Sequence, residues 1–237
     1  MASLNGGFHI KDMTPISMLD WEGKLATVLF LGGCNLRCPF CQNPELVLQA
    51  GDIPDIPPED VEKYLKEKHS WIDGCVITGG EPTINHGLEF LLSRIKNSGY
   101  PIKLDTNGTR PRVLRQLIEK ELVDYIAMDV KTSFDNYKLA TGSRVNTETV
   151  KESAELLVKS GIETEFRTTV VPGYTKGEDI LWIARYLARL NASRYTLQQF
   201  RPDRVLDPTV GRIKPYPRGF LLSLVEECND FLPTKIR

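Results

Sequence analysis

The chain has 237 residues, 41% apolar and 26% charged, which is enough to bury one substantial core. Its 30 basic and 31 acidic residues leave a formal net charge of -1 with no long run of Lys or Arg, which excludes nucleic-acid binding that rests mainly on phosphate neutralisation. The longest apolar stretches, such as residues 25–31, fall well short of the about 20 residues that span a bilayer, and nothing resembles a secretory signal, so a soluble cytoplasmic protein without a membrane partner is expected.

Short apolar, β-branched segments predict strands at 25–31, 75–79, 101–105, 124–130, 164–171 and 194–200. Helical patterns at 58–69, 86–98, 111–121, 147–160 and 177–190 alternate with them, and a last helix is predicted at 218–231. No Gly/Ser linker divides the series, so one domain over residues 1–237 is expected, with a core at about 24–202 and a C-terminal helical segment at about 218–231. Repeated strand–helix alternation implies parallel strands joined by right-handed crossovers. Six units are too few for a closed eight-fold barrel. The expected fold is α/β, a partial (β/α)6 open barrel, and a doubly wound open sheet shares the same periodicity. In both architectures chemistry belongs at the C-terminal ends of the strands.

The motifs fall at those ends. After the first predicted strand come Gly32 and Gly33, then Cys34, Cys38 and Cys41, three of the five cysteines in eight residues. A four-iron cluster is normally held by four thiolates, so three on one loop with no obvious fourth leave one iron open to another ligand. Structural zinc is the alternative, but it wants four closed ligands, and Cys75, Cys228, His9, His69 and His86 are scattered singly. The second strand runs into Thr78-Gly79-Gly80-Glu81-Pro82, where small residues permit close approach and Glu81 is expected to offer a carboxylate at the mouth. An ordinary loop turn accounts for the same residues. Cys75 and Cys228 read as small buried hydrophobes.

The Cys34/Cys38/Cys41 spacing followed by Gly79-Gly80-Glu81-Pro82 resembles the radical S-adenosylmethionine (SAM) superfamily. The resemblance implies one 4Fe-4S cluster whose open iron is chelated by the amino and carboxylate groups of SAM, and one-electron cleavage to a 5'-deoxyadenosyl radical. It assigns Gly79, Gly80 and Glu81 to the SAM amino group. Leu104-Asp105-Thr106-Asn107-Gly108 and Ala127-Met128-Asp129-Val130-Lys131 resemble paired segments of the glycyl-radical-enzyme activases. By that likeness Asp105, Thr106, Asp129 and the Ala127 carbonyl would surround a monovalent cation beside the SAM carboxylate, with Lys131 facing SAM and Arg167 lining the same cavity. A same-face ion pair of Asp129 with Lys131 explains those two residues equally, and Arg167 would need either Asp129 or the SAM carboxylate as its anion. Phe40 is expected to shield the cluster near adenine, or simply to pack in the core.

One departure stands out. Where the pyruvate formate-lyase activase carries a histidine after its sixth strand, this chain has Gln198-Gln199-Phe200-Arg201-Pro202, so Gln199 or Arg201 would substitute, or else lie on a surface loop. The cysteine loop and the Gln-Gln-Phe-Arg-Pro segment are similar to the longer form of the activating proteins of anaerobic ribonucleotide reductase. That similarity implies a glycyl-radical enzyme as protein substrate and an electron donor such as flavodoxin or ferredoxin. Residues 47–71 contain no cysteine, so a second cluster is not expected. Other readings are a radical SAM enzyme acting on a pyruvate formate-lyase-like partner, a small molecule such as a pterin or a peptide, or a non-catalytic metal-binding module.

Overall fold

The computed structural model describes residues 7–237, and the chain forms two compact units. The first comprises residues up to Asn35, Glu45–Thr106 and Arg112–Ile126; the second comprises Leu36–Pro44, Asn107–Pro111 and Ala127–Arg237.

In the first unit β1 (Ile10–Ser17) runs antiparallel to β2 (Ala26–Leu31). The chain continues through α1 (Pro44–Leu48) and α2 (Pro58–Glu67) to β3 (Gly74–Gly79), then through α3 (Leu88–Asn97) to β4 (Ile102–Thr106) and α4 (Pro111–Glu119). β2, β3 and β4 are parallel, with Val28 opposite Val76 and Val76 opposite Lys103. Val28, Leu29, Val76 and Ile77 are fully buried, which is why these strands read as unbroken apolar runs rather than alternating ones. Leu88, Leu91, Leu92 and Ile95 of α3, spaced by three and four residues, form its buried stripe.

β5 (Tyr125–Asp129) leaves the first unit at Ile126 and ends in the second. There follow α5 (Tyr137–Thr141), α6 (Thr147–Ser160), β6 (Glu163–Val170), α7 (Gly177–Arg189), β7 (Tyr195–Gln199), α8 (Arg218–Asn229) and β8 (Thr234–Ile236). β6, β7 and β8 are parallel, with Phe166 opposite Tyr195 and Tyr195 opposite Thr234. Strand order follows chain order from β1 to β8, so the α/β sheet is open at its two ends, as expected of a partial barrel series. The six expected strands are β2 to β7, each within two residues of its predicted bounds. Two more strands, β1 and β8, were not anticipated. Only Ile10 and Ser17 of β1 are buried, and Pro15 falls within a register irregularity, so this edge strand carries no period-two pattern. Among the described residues no helix is long and apolar enough to cross a membrane.

Helix ends in the second unit follow local rules. Asn146 caps α6 by accepting from the Glu148 N–H, and Gly161 ends it at φ 74°. At the start of α7, Asp179 accepts from the Lys176 N–H at 2.9 Å, from Asn136 Nδ2 at 2.9 Å and from Ser133 Oγ, tying the segment after β5 to this helix. Burial alone would raise the Asp179 pKa, but these donors outweigh it and lower it. Asp179→Ala removes the cap and leaves buried donors unmet, and should cost about 2 kcal/mol, read as a lower urea midpoint with an unchanged slope. An unshifted midpoint would contradict this role.

Candidate active site

The expected site residues are distributed over both units. In the first, Gly79 is the last residue of β3 and Thr106 the last of β4; in the second, Asp129 is the last of β5. The parallel strands thus deliver the motifs at their C-terminal ends.

In the first unit the β2–β3 ladder runs on into the start of the cysteine loop. The Gly80 N–H donates to Leu31 O at 2.9 Å, and the Glu81 N–H to Gly33 O at 2.8 Å. A Cβ on Gly80 would lie 1.9 Å from Gly33 O, and one on Gly79, at φ 118°, would lie 2.4 Å from both Leu31 N and Leu31 O. These glycines therefore admit the backbone before Cys34, not only a ligand. The expectation that Glu81 presents its carboxylate at the mouth needs correction. Glu81 is 1% exposed, and its Oε1 accepts from the Thr83 N–H at 3.1 Å, from Thr106 Oγ1 at 2.7 Å and from Thr83 Oγ1. It caps the 3-10 turn Pro82–Ile84 and fixes β4 to it. On β4, the Asp105 Oδ1 lies 3.8 Å from Nζ of Lys103, a lysine only 2% exposed. Lys103 Nζ also donates to Asp20 O at 2.6 Å and sits 5.2 Å from the Tyr125 ring.

In the second unit, Cys38-Pro39-Phe40-Cys41 is a turn closed by the Cys41 N–H donating to Cys38 O at 2.9 Å. Cys38 is buried and Cys41 half-buried; Cys34, in the first unit, is also half-buried. Neighbouring segments hold the loop: the Arg37 N–H donates to Thr141 O at 2.9 Å, the Asp207 N–H to Pro39 O at 2.9 Å and Gln42 Nε2 to Arg201 O at 3.3 Å. Gly142, at φ 59°, ends α5 where a Cβ would lie 2.2 Å from Arg37 O. Sequence reasoning missed this glycine, although its position after an apolar helical turn is a C-terminal cap signal. Phe40 is buried with its ring edge against Tyr174 at 5.8 Å, which matches the core-packing reading of that residue.

The charge centre of this unit is Asp129. Its Oδ1 accepts from Arg167 Nε at 2.9 Å and its Oδ2 from Lys131 Nζ at 2.8 Å. Arg167 thus has Asp129 as its anion, and the Asp129–Lys131 ion pair is real. Burial would raise the Asp129 pKa, but the Arg167 and Lys131 charges override it and bring it down to about 2. Burial would lower the Lys131 pKa, yet Asp129 and then Cys38 raise it. One carboxylate between two cations leaves a net positive charge in a largely buried place, beside Cys38. That suits an anionic thiolate cluster and the carboxylate of a ligand.

Gln199 Nε2 donates to Tyr216 O at 3.2 Å, and Arg201 is exposed, in keeping with the surface-loop reading of Arg201. Cys75 and Cys228 are fully buried, and burial pushes both thiols up to about 12, as expected of small apolar residues. Among the described residues no three His, Cys, Asp or Glu side chains are gathered into a preformed metal site. The cluster reading rests on the cysteine spacing and the Cys38–Cys41 turn.

Asp129→Asn would strand two cations and should lower stability by about 3 kcal/mol at neutral pH in urea unfolding. The wild-type contribution is present above the unfolded carboxylate pKa of about 4 and fades as pH falls through about 2, so the variant's deficit should shrink in that window. A constant deficit would contradict the assignment.

The radical SAM superfamily profile matches residues 28–187. A protein of Methanocaldococcus jannaschii named as a glycyl-radical enzyme activating enzyme is 34% identical over 215 residues, 88% of this chain and 86% of that one. A 7-carboxy-7-deazaguanine synthase of Hyperthermus butylicus is 33% identical over 161 residues, 60% of this chain and 66% of that one. Among solved structures, SuiB of Streptococcus suis aligns with a TM-score of 0.68 at 18% identity, over 87% of this chain and 47% of that chain, so this chain spans about half of SuiB and shares its fold. With a profile over more than half of its residues and a relative aligned along nearly all of it, this protein belongs to the radical SAM superfamily, enzymes that work with a 4Fe-4S cluster and S-adenosylmethionine.

Proposed function

We propose that this enzyme generates a glycyl radical on a partner enzyme, and that the partner is an anaerobic ribonucleoside-triphosphate reductase. The observation that carries the site is the Asp129 carboxylate held between Arg167 and Lys131, in the same unit as Cys38 and Cys41. The activase class is supported by the near full-length relative bearing that name. The choice of reductase is supported by the cysteine-loop and Gln-Gln-Phe-Arg-Pro likenesses of the sequence.

In this reading Cys34, Cys38 and Cys41 hold the cluster, which when bound supplies the electron that splits SAM. The backbone of Gly79 and Gly80 offers acceptors to the SAM amino group, while Lys131 and Arg167, each fixed by Asp129, orient its carboxylate. Glu81 and Thr106 keep the β3 and β4 ends in register, and Phe40 stiffens the turn that spaces Cys38 from Cys41. The cluster would take its electron from a carrier such as flavodoxin or ferredoxin, and the protein substrate would present one glycine.

Anaerobic reconstitution should load about four irons per chain, and reduction with SAM should release 5'-deoxyadenosine. Cys38→Ala should abolish iron retention and Cys75→Ala should not; retention of zinc alone would defeat the reading. Incubation with an anaerobic reductase should then give a glycine-centred doublet in the electron paramagnetic resonance spectrum. A second reading, a small-molecule substrate, is favoured by the match to a 7-carboxy-7-deazaguanine synthase. Turnover of a pterin together with silence toward every glycyl enzyme would select it and overturn the activase reading.

A further inference from the structure

The segment that follows β7, residues 201–218, carries five basic residues, Arg201, Arg204, Arg212, Lys214 and Arg218, against two acidic ones, Asp203 and Asp207. That is a local excess of three positive charges in a chain whose formal net charge is -1. All five basic residues are exposed. Among the described residues, Arg201, Arg212, Lys214 and Arg218 have no carboxylate partner within the chain. α8 begins at Arg218 with no acidic residue in its first turn, so the positive end of the helix adds to this charge instead of being offset.

The segment has a fixed shape. Val210 is buried, its N–H donates to Asp207 O at 3.0 Å, and Asp207 Oδ1 accepts from the Thr209 N–H at 2.8 Å and from Thr209 Oγ1 at 2.7 Å. A Cβ on Gly211 would lie 3.3 Å from Pro202 O, so the limb carrying Arg201 runs against the limb carrying Arg212. Two further bonds join the segment to the cysteine turn of the same unit, from the Asp207 N–H to Pro39 O at 2.9 Å and from Gln42 Nε2 to Arg201 O at 3.3 Å. Pro39 lies between Cys38 and Cys41, so a partner seated on these cations is seated beside the turn.

We propose that this basic segment is the docking surface for a small acidic electron-carrier protein, which reduces the cluster from the side of the Cys38–Cys41 turn. Exposed cations without partners add little to the fold, but they steer a molecule of opposite sign to the surface and fix its orientation. The charge makes the occupant acidic, and its place beside the turn selects a carrier, whose redox centre has to be brought close to the iron. In the transfer the carrier's reduced centre loses one electron and the cluster gains it; no bond forms or breaks. The proposal rests on the reading of Cys38 and Cys41 as cluster ligands.

The test uses reconstituted enzyme, with reduced flavodoxin, an acidic flavin protein, as the probe. Arg212→Glu combined with Lys214→Glu reverses two charges of the segment. Lys159→Glu combined with Arg189→Glu is the control of equal charge: both residues are exposed, near the ends of the helices that precede the parallel strands β6 and β7, and so at the opposite end of those strands from the segment. Reversal in the segment should weaken flavodoxin binding on the order of tenfold at low ionic strength and slow cluster reduction by flavodoxin to a similar degree, while iron content and reduction by dithionite stay within about twofold of wild type. The control should bind flavodoxin within about twofold of wild type, and wild-type binding should weaken as salt is raised. Reversal that leaves flavodoxin binding intact overturns the proposal, as does a control that loses as much, wild-type binding indifferent to salt, or reversal that weakens binding of an anaerobic reductase and not of flavodoxin. If the double variant does not fold, Arg212→Gln, expected to weaken binding about threefold, decides. Wild type that loads no iron counts against the cluster reading instead, and the flavodoxin affinity of the protein as purified then tests the docking surface alone.

Discussion

A carbonyl oxygen, that of Gly33, stands where any side chain at position 80 would have to go. This close approach is what lets the β2–β3 ladder continue beyond the strand ends, through the hydrogen bonds Gly80 N–H to Leu31 O and Glu81 N–H to Gly33 O. The consequence for chemistry is that the backbone leading to Cys34 is fixed by main-chain bonds rather than by side chains. Glu81 adds to the arrangement through its Oε1, which accepts from Thr83 and Thr106 and joins the 3-10 turn to β4.

The second unit solves the complementary problem by electrostatics. Arg167 and Lys131 would each be costly to bury alone, and Asp129 makes both tolerable while leaving excess positive charge. That excess lies in the unit that holds Cys38, whose electrostatic influence Lys131 feels and whose thiolate is the form that binds iron. The same segment is anchored by Asp179, which draws Ser133 and Asn136 to the start of α7. The turn from Cys38 to Cys41 is held on its other side by Gly142, where only a glycine leaves room for Arg37 O. Positive charge and a geometrically fixed cysteine turn therefore occur together in one unit.

Much of this was legible in the sequence because it is local. Strand and helix positions follow from periodicity, and C-x3-C-x2-C is a spacing that one loop can express unaided. β1 was not legible, since its polar residues and Pro15 hide a strand that exists only because β2 offers an edge. Glu81 was misjudged because its partner Thr106 lies twenty-five residues on, and a motif alone does not say which way a side chain turns. Lys103 passed unnoticed for the same reason: an isolated lysine between Ile102 and Leu104 acquires meaning only when Asp20 and Tyr125 are brought around it. The Asp129–Lys131 pair was readable as same-face alternation, and Arg167, thirty-eight residues from Asp129, was readable as a cation needing either Asp129 or the SAM carboxylate; the fold supplies Asp129.

The central claim is that three cysteines bind a four-iron cluster whose remaining iron is open to SAM. Mössbauer spectroscopy of protein reconstituted with iron-57 addresses it directly, before and after adding SAM. The account predicts that about one iron in four changes its isomer shift when SAM binds, while the others keep theirs. A spectrum with no four-iron cluster, or one in which no iron responds to SAM, would contradict it.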